Sequence, residues 1–479
     1  MSDVKKNFIY NIIYQILILI LPLISVPYVS RVIGAEGVGI YSFTYSIVYY
    51  FMIFAMLGLN NYGVRSIAKV RDNKEKLSKT FKEIYTMQCI TSIIMIVCYL
   101  IYVLAFDNSY KNIAMIQTIY IISSLFDINW FFFGIEKFKL TVTRNTIIKV
   151  LTLIAIFLFV KTSSDVWIYT LILSSGTLLS QLALFPFLKK YIKSVKIKIK
   201  DVKKHFKPCL KLFLPVIAVA IYRIMDKTML GVLNDVSQVG LYENAEKIIN
   251  VPNAIITALG TVTLPRMSNL YSQNKSFESE SLIEKSIQFI MFLAFPMTLG
   301  LIAISRPFAL LFFGEQFLGS APLIMVLAIT LIFLSWGNVL RTQYLIPKEK
   351  DKIYIISAII GAVVNFVVNI ILIYYLQAIG ACIATVLAEF LVMFYQSYKI
   401  RHELPLKKYI KEVLPFLFKA IIMFIVIYPL QFLDISSFAI LIVQIGLGVL
   451  IYALLNFQYI KTIALENLFI RIKSNEKAS

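Results

Sequence analysis

Histidine is nearly absent from this chain. The 479 residues hold two, His205 and His402, both in basic stretches between apolar runs. No zinc-ligand spacing surrounds them, so no metal centre is expected, and nothing in the sequence implies a cofactor. Cysteine is as scarce. Cys89, Cys98, Cys209 and Cys382 are far apart, form no CxxC pair and lie in or beside apolar segments, as small buried hydrophobes do. There is no Walker A loop and no G-x-S-x-G elbow. No stretch between apolar runs is long enough to fold as an outer catalytic domain, which argues against a bilayer-embedded glycosyltransferase, ligase or glycan polymerase. Charge is also in short supply, at 15% of residues against about a quarter in soluble domains.

What the chain has in excess is hydrocarbon. Apolar residues make up 59% and the mean hydropathy is +0.80. A soluble core cannot hide that much over this length, whereas a bilayer accepts it. Backbone amides in hydrocarbon must be satisfied within their own segment, so the long runs are expected to be helices. Fourteen are predicted, at about 8–30, 40–60, 84–106, 113–134, 146–160, 166–188, 210–232, 247–265, 286–313, 320–346, 353–376, 378–399, 413–433 and 437–460. The first follows Lys5 and Lys6 and is too long for a signal-peptide core.

The net charge of +21 could suggest a nucleic-acid partner, but its distribution points to topology. With the N-terminus inside, the odd-numbered loops hold Arg31, Lys111, Lys161, Lys247 and Arg306, and helices hold Arg223, Lys227 and Lys419. Most of the remaining Lys and Arg fall in even-numbered loops and the two tails. That bias places both termini in the cytoplasm of a multi-pass plasma or inner membrane protein. The stretch 189–211 carries ten lysines. It acts as a topology signal and linker, or as a contact for anionic headgroups. The expected organisation is an N-terminal lobe of six helices (1–188), a basic linker (189–209), a second lobe of six helices (210–400) and two further helices with a tail (401–479).

An internal echo supports this division. Leu21-Pro22, Arg31, Gly34 and Val38-Gly39-Ile40-Tyr41 are repeated as Leu214-Pro215, Arg223, Gly231 and Val239-Gly240-Leu241-Tyr242. Parallel repeats are common in transporters, with substrate handled between the halves.

A charge within a transmembrane helix is costly, so each one is a functional candidate. Arg223, Asp226 and Lys227 are three and four residues apart and share one helical face. Two cations with one carboxylate give a net positive site suited to a phosphate. Arg supplies a bidentate fork and Lys a point charge. The structural alternative is a salt-bridge knot between helices. Arg31 occupies the matching place in the first helix, as a partner site or as an interfacial arginine. Glu389 and Asp127 are intramembrane carboxylates that either couple transport to a cation or pair with a cation on another helix. Asn365 and Asn369 are spaced for interhelical hydrogen bonding.

Five stretches in order resemble the polysaccharide repeat-unit (Wzx-type) flippases of the MOP exporter superfamily. They are PYVSRVIGAEGVGIYSF at 27–43, FDINWFFFGIEKFKLTVTRNTIIKVL at 126–151, YRIMDKTMLG at 222–231, VGLYENAEKIINVPNAIITALGTVTLPRMS at 239–268 and IGACIATVLAEF at 379–390. The resemblance implies two six-helix lobes around a V-shaped, MATE-like cavity. It implies a polyprenyl-pyrophosphate-linked oligosaccharide as substrate, a capsule, O-antigen or teichoic acid precursor, moved by alternating access. Arg223, Lys227 and Arg31 would hold the headgroup phosphate. Asp226, Glu389 and Asp127 would couple or pair charge, with H+ or Na+ as coupling ion. An internally duplicated fold needs no second copy, so a monomer is expected. A cation-coupled drug exporter of the MATE type is the rival, and its cavity would be expected to be acidic. A major-facilitator transporter would have twelve helices and a G-x-x-x-D-R-x-G-R-R-like loop, which is missing.

Overall fold

The computed structural model describes residues 3–105, 109–273 and 275–462, excluding the side chains of 3–19, 214–216, 218, 219, 221–223, 259, 261, 262 and 276. The two termini, with their expected cytoplasmic placement, and the Arg223 side chain therefore lie outside the described residues.

Among the described residues the chain is helical without strands. The helices are α1 (Asp3–Met56), α2 (Leu59–Ala68), α3 (Lys74–Ala105), α4 (Lys111–Leu125), α5 (Asn129–Gly134), α6 (Phe138–Phe159), α7 (Val166–Leu182) and α8 (Phe185–Leu188). They continue with α9 (Ile199–Leu233), α10 (Val236–Ser272), α11 (Ser276–Phe308), α12 (Ser320–Ala328), α13 (Thr330–Leu340), α14 (Asp351–Ile400), α15 (Leu406–Ile427) and α16 (Ser437–Leu455). Each predicted run has a helical counterpart. Eleven segments are long and apolar enough to cross a membrane, and α9 adds the predicted seventh run. Two of the eleven are double spans. At 1.5 Å per residue a 50-residue helix such as α14 is about 75 Å long, far beyond a hydrocarbon core of about 30 Å. Each is broken at one residue, α1 at Gly34 (φ 70°) and α14 at Gln377 (φ 52°). Glycine takes the left-handed conformation freely, whereas glutamine there is held at a cost.

Some boundaries differ from the expected ones. α10 begins at Val236, so Lys247 lies inside a helix rather than in a loop, and Arg31 is likewise within α1. Polar first turns do not register as hydrocarbon, so the apolar pattern starts late wherever protein, not lipid, surrounds them.

The chain forms two compact units. Unit 1 comprises residues up to Asn244 together with Phe366–Ala381. In it α4 packs between α1, α3 and α7. Its core holds Phe81, Trp130, Phe131 and Phe132, with ring centroids 4.9–6.5 Å apart in mostly edge-to-face contacts. The gap between α4 and α5 leaves carbonyls without helical donors. Fully buried Gln88 supplies them, donating to Ser124 O (2.6 Å) and Asp127 O (2.9 Å) while accepting from Trp130 Nε1 (2.9 Å).

Unit 2 comprises Ala245–Asn365 and Cys382 onward. α11 packs against α12, α13, α15 and α16 and carries Pro296 and Pro307. A proline cannot donate to the carbonyl four residues earlier, so Phe292 O and Ala303 O each lose a helix bond. Both are repaired from α16. Tyr452 OH donates to Phe292 O at 2.9 Å, and Gln444 Nε2 donates to Ala303 O at 3.3 Å and to Ile427 O at 2.9 Å. Neighbouring side chains are what make prolines tolerable in a membrane helix. An apolar cavity of about 450 Å³ lies along this seam, lined by Phe292, Pro296, Met423, Ile427 and Tyr452 among others.

Candidate functional site

The second half of α1, the end of α9 and the start of α10 meet in unit 1 where the echoed motifs lie. A Cβ on Gly39 would fall 1.8 Å from Val236 O, and one on Gly240 2.0 Å from Ala35 O. The two Val-Gly-Ile/Leu-Tyr motifs therefore cross backbone to backbone, through glycine. Small residues allow such approach in membrane helices. Gly231 is equally tight, since a Cβ there would fall 2.0 Å from Phe43 Cδ2. Beside the crossing, buried Asn244 donates to buried Ser30 (2.7 Å), and Thr228 donates to Ser46 (2.9 Å).

Two charged residues of α9, Asp226 and Lys227, are held from α10. Asp226 is 3% exposed; its Oδ2 accepts from Tyr242 OH at 2.7 Å and its Oδ1 from Asn369 Nδ2 at 2.6 Å. Its carboxylate thus takes neutral donors, one from α10 and one from α14. Lys227 instead pairs with Glu243 of α10, Nζ to Oε2 at 2.6 Å, with the two side chains 16% and 14% exposed. Tyr45 lies within electrostatic reach of both members of that pair. It belongs to a tyrosine cluster in which Tyr41 and Tyr120 share a hydroxyl bond of 2.8 Å and the Tyr45 and Tyr120 rings stand 5.0 Å apart.

Glu243 is the residue the sequence pattern missed. It follows directly on Val239-Gly240-Leu241-Tyr242 but precedes the apolar run that starts near 247, so it fell in an expected loop. It changes the charge count. It sets a carboxylate against Lys227 that a count over the apolar runs alone leaves out. Arg31 is exposed and donates to Pro27 O of its own helix at 3.2 Å.

Asp127 lies in the turn between α4 and α5. Its Oδ1 accepts from the Asn129 backbone (3.0 Å) and Asn129 Nδ2 (2.7 Å). Asn129 in turn receives Arg144 at 2.9 Å, and buried Arg144 also reaches Asn145 (2.6 Å) and Ser180 O. This network closes a helix break and was not foreseen, because Arg144 sits in a basic stretch. Glu389 is half-buried in the second part of α14, in unit 2. Asn365 donates to Thr385 at 3.4 Å, a weak bond across the Gln377 break.

Known proteins are similar to this chain in sequence and in fold. A putative O-antigen transporter of Escherichia coli (strain K12) is 24% identical over 403 residues, covering 81% of this chain and 95% of the relative. The lipid II flippase MurJ in its inward closed conformation has a TM-score of 0.77 at 18% identity, over 95% of this chain and 99% of that one. An inward-facing multidrug resistance MATE family transporter of the MOP superfamily has a TM-score of 0.59 at 14% identity, over 80% and 97%. These structures show the fold that composition alone left open, a many-span bundle of the MurJ and MATE kind. Residues 4–271, which include the glycine crossing and the Lys227–Glu243 pair, match the model of one family, and by that match the chain belongs to the family described as polysaccharide biosynthesis protein.

Proposed function

We propose that this multi-span membrane protein is a flippase. It moves a polyprenyl-pyrophosphate-linked oligosaccharide, a precursor of a cell-surface polysaccharide or teichoic acid, from the cytoplasmic to the outer leaflet of a bacterial plasma membrane. It works as a monomer with both termini in the cytoplasm, and makes or breaks no covalent bond. Lobes 1–188 and 210–400 alternate access, so that the headgroup crosses while the lipid tail stays in hydrocarbon. The E. coli relative is named for transport of an O-antigen, which supports a lipid-linked glycan over a cationic drug.

One observation carries the proposal. Lys227 and Glu243 form a close, largely buried pair on helices of a membrane protein, next to a third charge, Asp226, that accepts from Tyr242 and Asn369. A buried ion pair is weak evidence for stability, because desolvation offsets its Coulomb gain. It suits an exchangeable site. A pyrophosphate offers Lys227 the same opposite charge that Glu243 gives it. Arrival of the headgroup displaces Glu243, and H+ or Na+ then balances the released carboxylate. Arg223 and Arg31 add donors for the second phosphate. Asp226, with Glu389 and Asp127, keeps the remaining charge in place. The apolar seam of α11, α15 and α16 is chemically suited to a hydrocarbon tail.

Proteoliposomes loaded with a labelled lipid-linked oligosaccharide test the proposal. Native protein should expose the label to an external enzyme, and Arg223→Ala and Lys227→Ala should lose at least ten-fold in rate with normal insertion. Flipping by the native chain with unharmed variants would move the headgroup site elsewhere. Absence of flipping for every polyprenyl-linked glycan tried would overturn the substrate assignment and favour a small-molecule exporter.

A further inference from the structure

A second apolar cavity in unit 2, of about 430 Å³, is formed by α11, α13, the end of α14 and the start of α15. Its volume is within the usual range of small-molecule sites, about 300–1,000 Å³. Trp336, Phe394, Tyr398, Ile410 and Leu414 line it, and the last four are exposed, so it opens to the membrane. Its only charged lining residue is Arg401, at the end where α14 gives way to α15.

Arg401 is held in place by Tyr398, and among the described residues it has no carboxylate partner. Its guanidinium lies 3.7 Å from the Tyr398 ring centroid, and Nη1 donates to Tyr398 O at 2.9 Å. Nearby carboxylates are engaged elsewhere: Glu403 by Lys350 and Tyr344, Glu284 by Lys408 at 2.8 Å, and Glu412 by Lys408 at 3.6 Å. Among the described residues no carboxylate pairs with Arg401 or with Lys407. Lys407 is exposed and lies three and seven residues before Ile410 and Leu414, on the same side of α15 as the cavity. A hydrocarbon slot open to the bilayer therefore ends at Arg401, with Lys407 on the adjoining helix face, and neither has a carboxylate partner among the described residues.

We propose that this cavity is a binding site for one anionic phospholipid of the leaflet bordering residues 401–405. An acyl chain lies against Trp336, Phe394 and Ile410, and the phosphate is held by Arg401 and Lys407. A bidentate guanidinium stacked on an aromatic ring favours an anionic phosphate over a headgroup that carries its own cation. The first cavity, along α16, has no charged lining residue and so no means of making this selection. The proposal depends on the chain being a membrane protein, and not on what it transports.

Trp336 lines the site and reports on it. The other two tryptophans are Trp130, fully buried, and Trp167, exposed. The full chain carrying Trp167→Phe is reconstituted with brominated phosphatidylglycerol or brominated phosphatidylcholine, and tryptophan quenching is followed against mole fraction. Half-maximal quenching should need at least three-fold less of the anionic lipid. Arg401→Ala with Lys407→Ala should abolish that preference, while Lys399→Ala, on another face of α14, should leave it intact. Equal quenching by the two lipids, or a preference that survives the double variant, would overturn the proposal. Arg401→Gln alone, a mild surface change, serves if the double variant inserts poorly. The readout involves no transport, so its failure would leave the flippase assignment standing.

Discussion

Glycine in unit 1 and proline in unit 2 solve opposite problems. At the α1–α10 crossing the helices approach until backbone meets backbone, and the missing Cβ atoms of Gly39 and Gly240 make the space. Along α11 the missing atoms are amide hydrogens at Pro296 and Pro307, and the gap is filled by side chains of α16. The first contact is intolerant of any added atom. The second depends on particular donors and tolerates changes of shape. A residue type often described as disruptive is, in both places, what specifies the partner helix.

The largest expected effect comes from making the first region resemble an ordinary helix pair. Gly39→Ala or Gly240→Ala improves helix propensity yet places a methyl within about 2 Å of a backbone oxygen. The helices must separate, at a cost of about 1–3 kcal/mol or more. Either variant should lower the melting temperature of the purified protein and reduce transport at least ten-fold. A functional, fully stable Gly240→Ala would show that the crossing is not needed.

Next is the charge cluster. Asp226→Ala leaves Tyr242 OH and Asn369 Nδ2 without their acceptor, each worth about 1–3 kcal/mol when buried. Glu243→Gln keeps the shape but removes the charge that neutralises Lys227. If Glu243 competes with substrate phosphate, Glu243→Gln should bind a pyrophosphate-bearing lipid more tightly and release it more slowly. Weaker binding together with slower turnover would mark the pair as structural.

The proline seam allows a double-mutant cycle. Tyr452→Phe should cost roughly 1 kcal/mol by removing the donor to Phe292 O. Pro296→Ala restores a backbone donor to that carbonyl, so Tyr452→Phe should then be nearly silent in thermal unfolding. Additive effects would refute the repair.

The smallest effect is a pH dependence at His205, in the basic stretch ahead of the apolar part of α9. His205 Nε2 lies 2.9 Å from buried Glu83, and Nδ1 lies 2.7 Å from Tyr62 OH. Burial outweighs the Glu83 carboxylate and holds the imidazole below its usual value of about 6.5. The unfolded chain therefore takes up the proton first. This stabilisation is complete above about 6.5 and declines as the pH falls through the lowered value. His205→Gln should flatten the acid limb of thermal stability between about pH 7 and 5, with little change at pH 8.

Much of this could be anticipated from hydropathy, and the misses share one cause. A run facing lipid such as α16 begins at Ser437 as expected, because lipid is uniform and asks only for hydrocarbon. Asn369 was foreseen as an interhelical donor, and it meets Asp226. Glu243 and Arg144 escaped because they are surrounded by protein, where a polar residue is accommodated by partners distant in sequence. The donors that repair α11 escaped for the same reason. Nothing near Tyr452 or Gln444 signals prolines more than a hundred residues earlier.

The crossing of Val38-Gly39-Ile40-Tyr41 with Val239-Gly240-Leu241-Tyr242 has a consequence for symmetry. When one motif meets its own copy, the contact has the self-complementary form that a two-fold symmetric dimer must have. It is the contact that one half would make with a second copy of itself, and within a single chain the two surfaces need not match: in the register of these motifs, the places equivalent to Lys227 and Glu243 hold Val26 and Ser42.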